Sequence, residues 1–270
     1  MRIGIVGLGL IGGSAALAWA EQGHEVLAYD IAQPQAPLRG IELSHDLDQL
    51  LSCDVCVLAV PLPVLPRVLP TFAHWAGILT DVTSVKQPVL DLVGSHCSEA
   101  RFVGGHPMAG KETAGFSAAD GALFHGCPWV LTSDNASAET IETVSGLVND
   151  LGARIMVTSA RRHDQAVARI SHLPHVLAVA LQRAGAADSF ALQLAAGSFR
   201  DGTRVASSPV ELIAAMCAGN ATALQPVMDE VIADLQRARA ALNTNEPEGP
   251  FAEWIRDTPS LRFHMITHCY

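Results

Sequence analysis

Five short polar clusters stand out from an otherwise apolar chain. Asp81-Val82-Thr83-Ser84-Val85-Lys86 places a carboxylate, two hydroxyls and an ammonium within one turn of chain, and Gly104 to Gly110 holds a single imidazole, His106, between glycines that should leave it accessible. Further on come His163-Asp164, then Ser171-His172-Leu173-Pro174-His175, then Arg200-Asp201-Gly202-Thr203-Arg204. A histidine with its ordinary pKa near 6.5 is largely neutral at cellular pH and can take a proton from a hydroxyl. An arginine keeps its charge, and its fork can hold both oxygens of a carboxylate. Each residue also has a plainer reading. His106 could be a turn histidine bonded to backbone, and Ser84 a helix cap near Pro88. His172 and His175 could be half a zinc site, for which no third and fourth ligand lies at suitable spacing, or one of them a cap. Arg204 could pair with Asp201, and Lys86 and Lys111 could be solvated surface.

A sixth cluster is built of glycines. Ile3 to Val6 reads as a short apolar strand, followed by Gly7-Leu8-Gly9-Leu10-Ile11-Gly12, a helical stretch to Gln22 that stops at Gly23, and a second strand, Glu25 to Tyr29, tipped by Asp30. In that setting Gly7 permits the tight turn, Gly9 lets a pyrophosphate approach the backbone, and Gly12 lets helix and strand pack closely. The N–H groups around Leu10 and Ile11 would then bind phosphate oxygens. Asp30 would accept hydrogen bonds from the ribose hydroxyls of NAD and repel the extra phosphate of NADP, so NAD is the expected cofactor; its plainer reading is a turn residue before Pro34 and Pro37. Val60 and Pro61, at the end of the next strand, begin a Pro-rich segment expected to be a loop that passes the cofactor, its plainer reading being the start of a short helix. Residues 3 to 20 carry no charge, but their glycines argue against a membrane span or signal sequence.

The elements that must hold these clusters follow from spacing. Strands are expected at Asp54–Val60, Ile78–Asp81, Arg101–Val103, Trp129–Thr132 and Arg154–Thr158, which with the first two make a doubly wound, mainly parallel α/β sheet of Rossmann type. After Thr158 the pattern turns helical: Ala178–Leu181, Ala191–Ala196, Val210–Ala218 and Thr222–Leu242 read as helices, with a weak tail or one short helix after Asn243. The expected domains are a dinucleotide-binding domain, 1–158, and an all-α domain, 159–270, whose apolar helices would bind substrate and dimerise. Of 270 residues, 49% are hydrophobic and 16% charged, with a net charge of −10 and no run of Lys or Arg. That composition folds, and it gives nucleic acid or an anionic membrane no electrostatic footing. The six cysteines are expected to be reduced, small hydrophobes in a cytoplasmic chain, and Cys53-Asp54-Val55-Cys56 resembles a redox pair only superficially.

The segments GLGLIGGS, DVTSVK, GGHPMAG, HDQAVARISHLPH and FRDGTRVASS, in that order, give the chain a resemblance over nearly its whole length to the prephenate and arogenate dehydrogenases of tyrosine biosynthesis. The resemblance implies an NAD domain followed by a helical dimerisation domain and a homodimer. It implies His106 as catalytic base, Ser84 as a hydroxyl that helps position it and the substrate, and His172, His175 and Arg204 as substrate contacts, Arg204 through a carboxylate. Lys111, before Glu112, departs from the small polar residue often found there. The implied activity is NAD-dependent oxidative decarboxylation of prephenate, arogenate or both, without a metal. The alternatives are a dehydrogenase of an amino-substituted prephenate, a β-hydroxyacid dehydrogenase and a non-catalytic NAD sensor. The motifs leave prephenate against arogenate open.

Overall fold

The computed structural model describes residues 1–32, 38–111, 113–243, 246 and 248–258; Pro34, Pro37, Glu112 and Cys269 lie outside the described residues. Short runs of β-branched and apolar residues form the strands β1 (Arg2–Val6), β2 (Glu25–Tyr29), β3 (Ile41–Ser44), β4 (Val55–Leu58), β5 (Ile78–Asp81), β6 (Arg101–Val103), β7 (Gly105–Pro107), β8 (Pro128–Thr132) and β9 (Arg154–Thr158). The helices are α1 (Leu10–Glu21), α2 (Leu65–Val68), α3 (Gln87–His96), α4 (Ala138–Asp150), α5 (Ala160–Val167), α6 (Leu173–Ala186), α7 (Ser189–Gln193), α8 (Gly197–Thr203), α9 (Val210–Gly219), α10 (Ala221–Ala241) and α11 (Pro250–Arg256).

The chain divides into two compact units. The first comprises Met1–Ala166 and Ser208–Asn220; the second comprises Val167–Ser207 and the described residues from Ala221 on. In the first unit six parallel strands lie in the order β3-β2-β1-β4-β5-β6, the dinucleotide-binding order that reverses beside β1. Strands buried on both faces read as continuous apolar runs, and Val55–Leu58 is buried at every position. Ile3, Ile5, Val26, Ala28 and Val57 pack with Trp19 of α1 on one face. Leu27, Cys56, Leu58 and Leu79 pack with Leu65, Leu69 and Phe72 on the other.

Three features differ from the expectations. The mainly parallel sheet does not absorb every strand: β7, β8 and β9 form a separate three-stranded sheet in which β7 runs antiparallel to β8. Strand β3 had no clear signal, because Ile41–Ser44 is only four residues long and follows a proline-rich stretch. The segment after Pro61 is not an open loop but a chain of short helical turns, Leu62–Val64, α2 and Leu69–Phe72, in which each proline sits at the first or second helical position, where no donor is missed.

In the second unit a π-helical turn, Ala168–His172, precedes α6. Arg169 pairs through both guanidinium nitrogens with Glu230 of α10, at 2.6 and 2.8 Å. The expected stretch Ala191–Ala196 is helical only as part of α7, which ends at Gln193, and the tail closes with α11. No helix among the described residues is long and apolar enough to cross a membrane. Cys53, Cys56, Cys97 and Cys217 are free thiols, whereas Cys127 is disulfide-bonded, against the expectation of six reduced cysteines.

Candidate functional site

The carboxyl ends of the parallel strands deliver the polar clusters to one edge of the sheet, the edge at which open α/β sheets bind ligands. After β1, Gly7 adopts φ +100°, and a Cβ there would meet the carbonyl of Ala59, its carbon 2.9 Å away. A Cβ on Gly12 would collide with the carbonyl of Gly7 and lie 2.8 Å from Ala59 Cβ. Gly9 is different, with nothing within 4 Å of its Cβ position. It is the N-cap of α1, which carries no side-chain cap. The first N–H groups of α1, at Leu10 and Ile11, therefore face a cradle left open by a missing side chain, the arrangement that suits a pyrophosphate.

At the tip of β2, Asp30 accepts a hydrogen bond from Leu8 N at 2.6 Å and another from Ala32 N at 2.7 Å. The two backbone bonds fix the carboxylate beside the glycine turn and leave each oxygen a second lone pair. That carboxylate suits the ribose hydroxyls of NAD, and the residues present fit this cofactor. Val60 is half-buried and Pro61 exposed at the end of β4.

At the end of β5 a fully buried pair takes over. Lys86 donates to Asp81 and to the carbonyl of Gly105, and Asp81 also accepts from Gly105 N at 3.1 Å and from Thr83 N at 2.9 Å. Lys86 is 1% exposed, so the reading of a solvated surface lysine is overturned. Burial lowers the pKa of its ammonium, against the neighbouring carboxylates of Asp81 and Asp164, which raise it. Lys111 does lie at the surface, paired with Asp120 at 2.9 Å. Ser84 is half-buried in the same loop. It does not cap α3, whose N-cap position is Lys86. The carboxylate of Asp164 serves instead, accepting from Lys86 N and Gln87 N at 2.8 Å each.

His106 lies in β7, half-buried. The glycines before it do not keep the surroundings open: a Cβ on Gly105 would meet the Asp81 carbonyl and one on Gly104 would lie 2.6 Å from Thr132 Oγ1, so both are there for close packing. His106 Nδ1 lies 2.8 Å from His163 Nε2, and His163 Nδ1 lies 2.7 Å from Asp164 Oδ1. The two imidazoles meet edge to face, with centroids 5.0 Å apart. His163 and Asp164, both buried in α5, were visible in the sequence only as a polar pair without a role. Their signal was a histidine and an acid side by side in an otherwise amphipathic helix.

The second unit carries the other expected contacts. His172 is fully buried at the end of the π-helical turn. His175, in the first turn of α6, has Nδ1 3.1 Å from the carbonyl of Val205. That contact fixes the proton on Nδ1. Burial holds the pKa of His175 below its ordinary value, the Val205 bond opposes this, and the cation of Arg204 adds to it. Arg204 opens the 3₁₀ turn Arg204–Ser207 and is exposed.

Fold and cofactor cradle define an NAD-dependent oxidoreductase. The sequence matches the family model described as prephenate dehydrogenase, nucleotide-binding domain, over residues 15–157. It also matches the one described as prephenate dehydrogenase, dimerization domain, over residues 159–257. It is 34% identical to the cyclohexadienyl dehydrogenase of Zymomonas mobilis over 98% of this chain and 96% of that one. The crystal structure of Synechocystis arogenate dehydrogenase superposes with a TM-score of 0.79 at 31% identity, covering 95% of this chain and 96% of that one. The A. aeolicus prephenate dehydrogenase in complex with hydroxyphenyl propionate and NAD+ superposes with a TM-score of 0.85 at 25% identity, covering 95% of each chain. The chain belongs to the prephenate dehydrogenase family.

Proposed function

We propose that the protein carries out the oxidative decarboxylation of prephenate, arogenate or both, with NAD. Such a substrate is a cyclohexadienol with a hydroxyl at C4 and a carboxylate at C1. His106 takes the hydroxyl proton as the C4–O bond becomes a carbonyl. NAD, held by the glycine turn at Gly7 to Gly12 and by Asp30, would supply the acceptor for the hydride of C4. The electrons of the bond between C1 and the carboxylate then move into the ring, carbon dioxide departs, and the ring becomes an aromatic phenolate, to which the protonated His106 returns the proton to give the phenol. Ser84 helps orient the imidazole and the hydroxyl. Arg204 holds a substrate carboxylate through its fork, His175 offers a neutral ring nitrogen, and His172 completes this set of polar contacts. Aromatisation drives the reaction, so the protein supplies position, a base and a clamp.

The observation that carries this reading is a half-buried imidazole at the carboxyl edge of the sheet whose inner nitrogen is engaged by a second histidine backed by a carboxylate. Two further proposals belong with it: the chain acts as a homodimer, and it functions in the cytoplasm on a small molecule. The test is NADH formation followed spectrophotometrically with prephenate and arogenate side by side. His106→Asn should lower kcat by about 10²–10⁴ with NAD affinity near wild type, as expected for loss of a general base. Activity comparable to wild type would remove His106 from that role.

A further inference from the structure

The geometry points to His163 as a positioning residue that sets which nitrogen of His106 carries the proton, an inference that rests on His106 being the base. The Asp164 carboxylate meets two backbone donors, Lys86 N and Gln87 N, and one imidazole nitrogen, His163 Nδ1. An ionised carboxylate only accepts, so His163 must donate from Nδ1. A neutral imidazole with its proton on Nδ1 presents a lone pair at Nε2. That lone pair lies 2.8 Å from His106 Nδ1, so His106 must place its own proton on Nδ1 and keep its lone pair on Nε2, the nitrogen that points away from the relay. The reversed tautomer would set two lone pairs against each other across this contact and leave His106 with no basic nitrogen for a substrate.

The relay also fixes orientation. Asp164 is tied to the start of α3 by two backbone N–H groups, and its own carbonyl accepts from Asn220 Nδ2 at 2.8 Å. The carbonyl of Gly105, next to His106, is held by the buried Lys86. His106 is thereby gripped through both its backbone and its ring by one polar network within a single compact unit. A buried carboxylate that fixes the tautomer of a catalytic imidazole and stabilises its protonated form is an established device; here a second imidazole stands between the two.

The direct measurement is the ring ¹⁵N spectrum of the full-length protein at pH above 7, with the His106 signals identified by their loss in His106→Asn. The expected result is a protonated Nδ1 and a pyridine-type Nε2 on His106; the proton on Nε2 instead would overturn the inference even if both His163 variants failed to fold. Kinetics separate positioning from packing. In His163→Gln the amide oxygen can accept from His106 while its NH₂ donates to Asp164, whereas His163→Leu fills similar space and does neither. His163→Leu should lower kcat by about 10–10²-fold, a part of what the base itself contributes, with KM and NAD affinity near wild type. His163→Gln should recover most of that loss and keep the His106 tautomer. Equal losses in the two variants, or a wild-type kcat in His163→Leu, would overturn the inference. If instead His106→Asn retained activity, it is the base assignment that would fail, whichever tautomer the spectrum showed.

Discussion

His175 shows how one contact prepares a side chain for binding. Its Nδ1 donates to the Val205 carbonyl, so Nε2 is left as an acceptor, and burial together with the Arg204 cation keeps the ring from protonating as readily as in water. The folded-state pKa lies below the ordinary 6.5, which means that the unfolded chain binds the proton more tightly. The stability tied to His175 is therefore complete above pH 6.5 and is lost as pH falls from there toward the folded midpoint. An NMR titration should find the His175 midpoint below 6.5, and His175→Gln should flatten that part of the pH dependence of Tm. A midpoint at or above 6.5 would show that the Val205 bond outweighs burial. Lys86 is the contrasting case. Removing it would leave Asp81 buried without its cation, whereas the neutral His175 tolerates its surroundings because it need not be charged.

At the scale of elements, the glycine turn between β1 and α1 separates two duties that the spacing alone runs together. Gly12 is required by packing, because any Cβ would strike the Gly7 carbonyl; Gly9 is not, because its Cβ would enter open space. Gly12→Ala should therefore destabilise the fold, by about 1–3 kcal/mol as overpacking does, and lower Tm in the absence of NAD. Gly9→Ala should leave Tm near wild type and weaken NAD binding by about tenfold or more, equivalent to about 1.4 kcal/mol. Thermal melts and a fluorescence titration with NAD check both. An unchanged Kd in Gly9→Ala would show that the pyrophosphate does not approach that backbone. This turn, β2 and Asp30 were legible in the sequence because they are local: strand, turn, helix and acid follow each other within 30 residues. The antiparallel β7 was not legible. Gly105-His106-Pro107 is three residues long and pairs with Leu131, Val130 and Trp129, a contact that depends on chain more than 20 residues away. The link from His106 to His163 spans 57 positions, beyond any periodic signal. The buried lysine was also hidden, since only the carboxylate folded against it makes a charged residue a core residue.

For the molecule as a whole, the second unit leaves a row of apolar side chains exposed among the described residues. Leu177, Leu181, Phe190, Leu192 and Leu194, carried by α6, α7 and the turn after it, are 39–66% exposed. The same stretch lies in the part of the sequence matched by the family's dimerization domain. An isolated exposed leucine is ordinary, but four leucines and a phenylalanine exposed along α6, α7 and the turn after it offer apolar surface whose burial is worth about 25 cal/mol for each Å² removed from water. A second copy of the chain supplies a surface of the same kind, since a twofold interface pairs one patch with itself. Sedimentation equilibrium at micromolar concentration should give twice the mass of the chain. Phe190→Glu combined with Leu194→Glu should give the single-chain mass with an unchanged far-ultraviolet circular dichroism spectrum, because neither side chain belongs to the buried core. A wild-type protein that sediments as one chain would remove the patch from any dimer interface and leave those five side chains to be explained by something other than self-association.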